Sequence, residues 1–137
     1  MAGNVEGSVE TVCAEKALCQ NCACCIDTNT VTTEVLGKEI VAHISRTEEG
    51  INLLIAGGDK SHIGAVAIVN PDGELSCITF QTHKDGIIAE KWCKELWNRY
   101  KVQAVVSVGI HYDDATREMI EEILNKTDRM MEVLLNE

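Results

Sequence analysis

The sequence predicts a small mixed α/β domain of the α+β kind. Its expected order is ββββαβα: a β-meander of about four antiparallel strands, a helix, a buried parallel strand and a C-terminal helix. Three observations point there. Residues 39–80 alternate apolar and polar positions between turn signals. The period then lengthens to that of a helix from residue 82. Residues 102–110 form a largely apolar run, interrupted by Gln103 and Ser107, as expected of a strand buried on both faces.

Residues 30–36 read as a short edge strand. Residues 39–47 place Ile40, Ala42 and Ile44 on one face of a half-buried strand. Glu48-Glu49-Gly50 is a turn signal, and residues 51–56 follow as the next strand. Gly57-Gly58-Asp59 makes a tight connection to a strand over residues 63–69. Asn70-Pro71-Asp72-Gly73 is the strongest turn in the chain, because Pro presets φ and Gly accepts positive φ. Residues 75–80 complete the meander.

Thr82-His83-Lys84-Asp85 fits a capping box at a helix start. Ile88, Trp92, Leu96 and Trp97 supply that helix's apolar stripe, with Cys93 and Tyr100 beside it. After the apolar run, Asp113 or Asp114 can cap the last helix. Its stripe is Ile120, Ile123, Leu124, Thr127, Met131 and Leu134. Residues 1–29 differ from the rest. They hold five of the seven cysteines and read as a cysteine-rich tail before a single domain over residues 30–137.

The net charge of -10 argues against nucleic-acid or anionic-membrane partners, which need a basic face. The exception is local: Lys84, Lys91, Lys94, Arg99 and Lys101 cluster along the predicted first helix. The first 30 residues carry Glu6, Glu10 and Glu15 and no long apolar run, unlike a signal peptide. With no secretory signal, an odd cysteine count suits thiols or metal ligands better than disulfides, and the expected compartment is the cytoplasm.

Turn counting brings the unusual residues together. Centring the hairpin near Pro71-Asp72 puts Ser61 or His62 opposite residues 81–83, so His62 and His83 share one end. Gly57 and Gly58 reach that end too. A helical crossover favours parallel strands, whose C-terminal ends coincide, so His111 joins the histidines with Asp113 two residues on. Both helices start at this edge, where free N–H groups favour negative charge, and Lys60 and Lys84 add to that. Such an edge suits a transition metal held by His62, His83, His111 and Asp113, a phosphate-bearing cofactor, or both. Asp113 as a plain helix cap is the competing reading.

His43, within a strand, reads as structural. Trp92 and Trp97 at helical spacing read as core, and Cys77 and Cys93 as small buried hydrophobes. In the tail, Cys19, Cys22 and Cys25 are spaced Cys-x-x-Cys-x-x-Cys, with Cys24 between. With Cys13 they form a second candidate set for zinc or iron–sulfur ligation. The fourth ligand of a ferredoxin-type run is missing, since that position is Asn29.

Three segments together resemble a known family. They are Gly57-Gly58-Asp59-Lys60-Ser61-His62-Ile63-Gly64-Ala65-Val66, Thr82-His83-Lys84-Asp85, and Val108-Gly109-Ile110-His111-Tyr112-Asp113-Asp114-Ala115. They are similar to the small accessory D subunit of gallate and other hydroxyarylate decarboxylases, a prenylated-flavin-associated chaperone. The similarity spans residues 38–126. It implies a non-catalytic helper that binds or delivers prenylated FMN, with iron as a possible companion, to a UbiD-type catalytic subunit. It also implies a homodimeric α/β domain of the proteasome-assembly-chaperone kind. The resemblance carries no list of binding residues; on the edge inferred above from turn counting, the flavin phosphate would sit on Gly57, Gly58, Lys60 and Lys84, near His62, His83, His111 and Tyr112. The cysteine-rich tail is no part of the family pattern. Two other functions fit the residues: a small enzyme with a three-histidine metal site, with Asp113 or Asp85 as base, and a metal or iron–sulfur protein acting through the cysteines.

Overall fold

The computed structural model describes residues 10–16, 26–80 and 83–136, with the backbone alone for residues 10–16 and 83. The strands are β1 (Glu10–Lys16), β2 (Asp27–Val35), β3 (Lys38–Arg46), β4 (Gly50–Gly58), β5 (Lys60–Val69), β6 (Leu75–Thr79) and β7 (Gln103–His111). The helices are α1 (His83–Tyr100) and α2 (Arg117–Leu135). The expected α+β class and element order hold, and the sheet adds two features that local patterning did not show.

The first is β1. It lies within the stretch read as a tail, yet it pairs antiparallel with β2, with Cys13 beside Thr30. β2 is therefore an inner strand rather than an edge. The remaining tail cysteines, Cys19, Cys22, Cys24 and Cys25, lie outside the described residues.

The second is the place of β7. The seven strands run β1-β2-β3-β4-β7-β5-β6. β4 and β5, adjacent in sequence and expected to pair in a meander, are separated by β7. It runs parallel to β4 and antiparallel to β5. The expectation of a strand buried on both faces holds for one face only: Ala104, Val106 and Val108 are buried beneath the helices, while Gln103 and Val105 on the other face are exposed. β4 ends at Gly58 beside His111, and β5 begins at Lys60 on the other side of the same residue. The chain thus hooks over the end of β7. The Asp59 N–H secures the hook by donating to the His111 carbonyl at 2.7 Å. Gly58 has φ +93°, and a Cβ there would strike that same carbonyl.

Both helices cover one face. α1 lies over β5, β6 and β7, while α2 lies over β2. Ile40, Ile44, Leu53, Ile55, Val106 and Val108 meet Trp92, Leu96, Met130 and Leu134 in the core between them. Trp92 is fully buried, and Trp97 packs on the core edge beneath Lys101. Both tryptophans are structural, as expected. Cys93 is buried and Cys77 half-buried, each with its sulfur 4.0 Å from a backbone carbonyl. Burial pushes the Cys93 thiol up to about 11, so it is inert. On the other face Leu54, Ile68 and Val105 are exposed. Among the described residues no helix is long and apolar enough to cross a membrane.

α2 begins later than the sequence suggested. Neither Asp113 nor Asp114 caps it. Asp114 adopts φ +54° in the turn after β7, and Thr116 becomes the N-cap, accepting from the Met119 N–H at 3.1 Å. The Met119 sulfur stands where Glu or Gln would complete the box, 3.4 Å from the Thr116 N–H.

The pairing of β5 with β7 contains a bulge. Register passes from Ser61↔Ile110 to Ala65↔Val108, so His62, Ile63 and Gly64 share the space opposite Gly109. The His62 carbonyl occupies the position that a Cβ on Gly109 would need. Gly109→Ala should therefore destabilise the fold by roughly 1–3 kcal/mol through overpacking. Gly37→Ala, at φ +77° with nothing nearby, should cost about 1 kcal/mol from backbone strain alone. Urea unfolding of both variants checks the difference. Equal losses would mean that the bulge yields freely.

Candidate functional site

The ends of β4 and β7, the bulged start of β5 and the first turns of both helices meet at one edge, as turn counting expected. His62 and His111 come together there, with ring centroids 6.0 Å apart in an edge-to-face arrangement. His83 opens α1 at the same edge, and its side chain lies outside the described residues. His43 stands apart on β3, its Nδ1 2.8 Å from the Thr30 hydroxyl.

The bulge aims His62 at Asp85. Its Nε2 lies 3.6 Å from Asp85 Oδ2, too long for a hydrogen bond but close enough for strong electrostatic coupling. Asp85 was expected to cap α1 as the acidic member of a capping box with Thr82, which lies outside the described residues. Instead its carboxylate turns inward. Oδ1 accepts from the Ile110 N–H at 3.2 Å, across the gap to β7. Bulged β5 leaves that β7 donor unclaimed, so the helix carboxylate takes it. Gly64 makes room for this, since a Cβ there would collide with Asp85 Oδ2.

Two polar atoms at this spot are buried without a hydrogen-bond partner: Asp85 Oδ2 and His62 Nδ1. Each such atom costs about 1–3 kcal/mol, so a fold that keeps both in one place is poised to satisfy them with something else. Burial raises the Asp85 carboxyl above the ordinary carboxylate range. The Ile110 N–H, His62, Lys84 and His111 oppose that rise.

His111 pairs outward, its Nε2 2.9 Å from Asp113 Oδ1. The Asp113 N–H donates to Asp59 Oδ2 at 2.9 Å, tying this loop back to the hook. The Nε2 atoms of His62 and His111 thus each face a carboxylate rather than a common centre. Among the described residues no group of three or more His, Cys, Asp or Glu side chains is placed to hold a metal ion.

The remaining expected residues divide. Gly57 and Gly58 form the hook, and Lys60 is exposed opposite His111. Lys84, half-buried, lies in the first turn of α1. Tyr112 is buried, and its hydroxyl donates to the Val35 carbonyl at 2.9 Å and approaches that of Lys38 at 3.2 Å. Burial pushes this phenol up to about 12. Tyr112 therefore ties the end of β7 to the β2–β3 turn. Phe80, just after β6, is 60% exposed, and its N–H donates to the Gly64 carbonyl at 2.7 Å.

Sequence reasoning missed the inward role of Asp85 and the bulge. Both left a trace, since Gly64 and Gly109 interrupt otherwise apolar strand runs, a recognised mark of a bulge or close backbone approach.

A family model described as the prenylated flavin chaperone LpdD-like domain matches residues 34–137. The chain belongs to this family. A curated relative, Protein LpdD of Lactiplantibacillus plantarum, is 23% identical over 112 residues, covering 78% of this chain and 82% of that protein. A chain in the crystal structure of a chaperone complex for yeast 20S proteasome assembly superposes with a TM-score of 0.49 at 11% identity. It covers 92% of this chain and 94% of that one. The family match begins within β2 and includes the hook, the bulge, Asp85 and both helices. The family is thus a prenylated-flavin chaperone family, and every residue of the histidine edge lies inside the matched region.

A raised carboxyl pKa in the folded state means that ionising Asp85 works against folding. Stability from this group is full below its unfolded pKa, near 3.8, and is lost as pH rises through the folded value. Asp85→Asn should keep the acceptor for Ile110 and remove the buried charge. The variant should melt at a higher temperature than the native chain at pH 7. The gap should close as pH falls below about 4. Melting curves across that range decide. A variant less stable at pH 7 would show that the Asp85 charge is compensated.

Proposed function

We propose that this chain is a non-catalytic accessory protein that binds prenylated FMN at the histidine edge and delivers it to a UbiD-type hydroxyarylate decarboxylase. The observation that carries this reading is the buried, unsatisfied His62–Asp85 pair, set beside the first turn of α1 in a domain of the prenylated flavin chaperone family.

The chemistry is complementary. The flavin phosphate suits the free N–H groups at the start of α1, with Lys84 and Lys60 supplying positive charge. The ring system offers carbonyl and N–H groups along one edge, a match for His62 Nδ1 and Asp85 Oδ2, the two atoms without partners. The reading includes a homodimer working in the cytoplasm, where a reduced, oxygen-sensitive flavin benefits from a protein that shields it.

A second reading keeps iron or another transition metal beside the flavin, held by His62 and His111. It draws on the close histidine pair and the unpartnered Nδ1 of His62. Calorimetric titration of the purified protein with iron(II) under anaerobic conditions tests it, and an absence of binding removes it.

Anaerobic titration tests the main reading. The protein should bind prenylated FMN more tightly than plain FMN. His62→Ala and His111→Ala should each weaken binding at least tenfold, about 1.4 kcal/mol. The double variant should lose less than the sum of the two, because the residues share one ligand. His43→Ala should stay within about twofold of the native protein. Additive losses, or losses that merely track melting temperature, would remove the histidine edge as the site.

A further inference from the structure

Prenylated FMN differs from FMN by a branched five-carbon unit closed into an extra ring. In the reduced cofactor that unit is apolar and brings no new charge to recognise. A protein that tells the two flavins apart therefore has to do so by apolar burial, and the histidine edge described above is polar.

An apolar pocket adjoins that edge. It opens between the first turns of α1 and α2, over the end of β7, and has a cavity volume of about 40 Å³. Ile88, Ile110, Ala115, Ile120, Ile123 and Leu124 line it, with Lys84 and Asp85 at the polar end. Asp85 and Ile110, joined by their hydrogen bond, thus belong to both the pocket and the histidine pair. The two sites share a wall.

The pocket exists because the helices diverge. α1 covers β5, β6 and β7 while α2 covers β2. The Lys91–Asp128 ion pair at 2.7 Å bridges them further along. Protein interiors ordinarily close such gaps. Here Ala115 is too small to fill the gap, and Ile120 and Leu124 remain half-buried. A lining of branched aliphatic side chains offers no hydrogen bonds, so it favours a compact hydrocarbon group over any polar one.

We propose that this pocket is the subsite for the prenyl-derived ring, and that it sets the preference for prenylated over plain FMN. The inference rests on the flavin-chaperone reading, and its test separates the two. Ala115→Phe and Ile120→Phe each place an aromatic ring in the pocket and leave the histidines untouched. Anaerobic titrations with reduced prenylated FMN and with reduced FMN give the selectivity ratio. In each variant the affinity for prenylated FMN should fall at least tenfold, while that for FMN stays within twofold.

Methyl NMR of the unaltered protein, labelled at isoleucine, gives an independent reading. Ile120 and Ile123 should shift with prenylated FMN and stay in place with FMN. A native protein that prefers prenylated FMN, with filled variants that keep the preference or unmoved Ile120 and Ile123 methyls, overturns the subsite and leaves the chaperone reading standing. A native protein that binds neither flavin, or both equally, overturns the chaperone reading and the subsite with it.

Discussion

The architecture turns on one constraint: β7 is gripped on both sides by two strands that are neighbours in sequence. The connection between β4 and β5 must step across the end of β7 within a single residue, Asp59. Only backbone without side chains can turn that closely, and Gly57 and Gly58 supply it. The step brings the start of β5 against the end of β7, which places His62 beside His111. The bulge at residues 62–64 absorbs the resulting mismatch in register, and it frees the Ile110 N–H that Asp85 then accepts. Remove the hook and none of these contacts has a reason to form.

The site carries opposing demands. Asp85 sits where its charge is poorly solvated and one of its oxygens has no partner, and His62 repeats the pattern with Nδ1. Packing alone would favour apolar residues at both positions. What holds the pair is backbone: the glycine gap opposite the bulge and the α1 start fix where each side chain can go. This is the division expected of a binding site, in which a rigid frame holds side chains in an arrangement they would not choose. The surrounding pairs, His111 with Asp113 and Asp113 with Asp59, are exposed and adjustable, and they form the rim.

Much of this was readable from residue order. The edge emerged from two rules that need no tertiary knowledge, outward counting from the Pro71-Asp72 turn and the direction of a helical crossover. The tryptophan core of α1 followed from spacing. What escaped was whatever depends on choosing between partners. Residues 102–110 announce a buried strand but not its neighbours, so β4 and β5 looked like a simple hairpin. β1 carries no apolar alternation, because an outermost strand can be held by its backbone bonds to β2. Asp113, Asp114 and Thr116 are all good caps, and only the left-handed turn at Asp114 selects the last. Asp85 looked like a cap until the bulge created a stronger claim on its carboxylate.

The late position of β7 in the chain bears on how the domain is assembled. Successive zipping of neighbouring strands cannot build this sheet. If β4 and β5 pair as they are made, the slot that β7 needs is already closed. Any β4–β5 hairpin formed earlier has to open before β7, which lies more than thirty residues beyond β5, can enter between them. The glycine-rich hook that later clasps β7 also leaves that premature hairpin sterically open. Loop closure over this distance is entropically slow, and the exposed edges of β4 and β5 are open to other strands meanwhile. While it is being made, the chain thus has an unprotected slot at the middle of its own sheet.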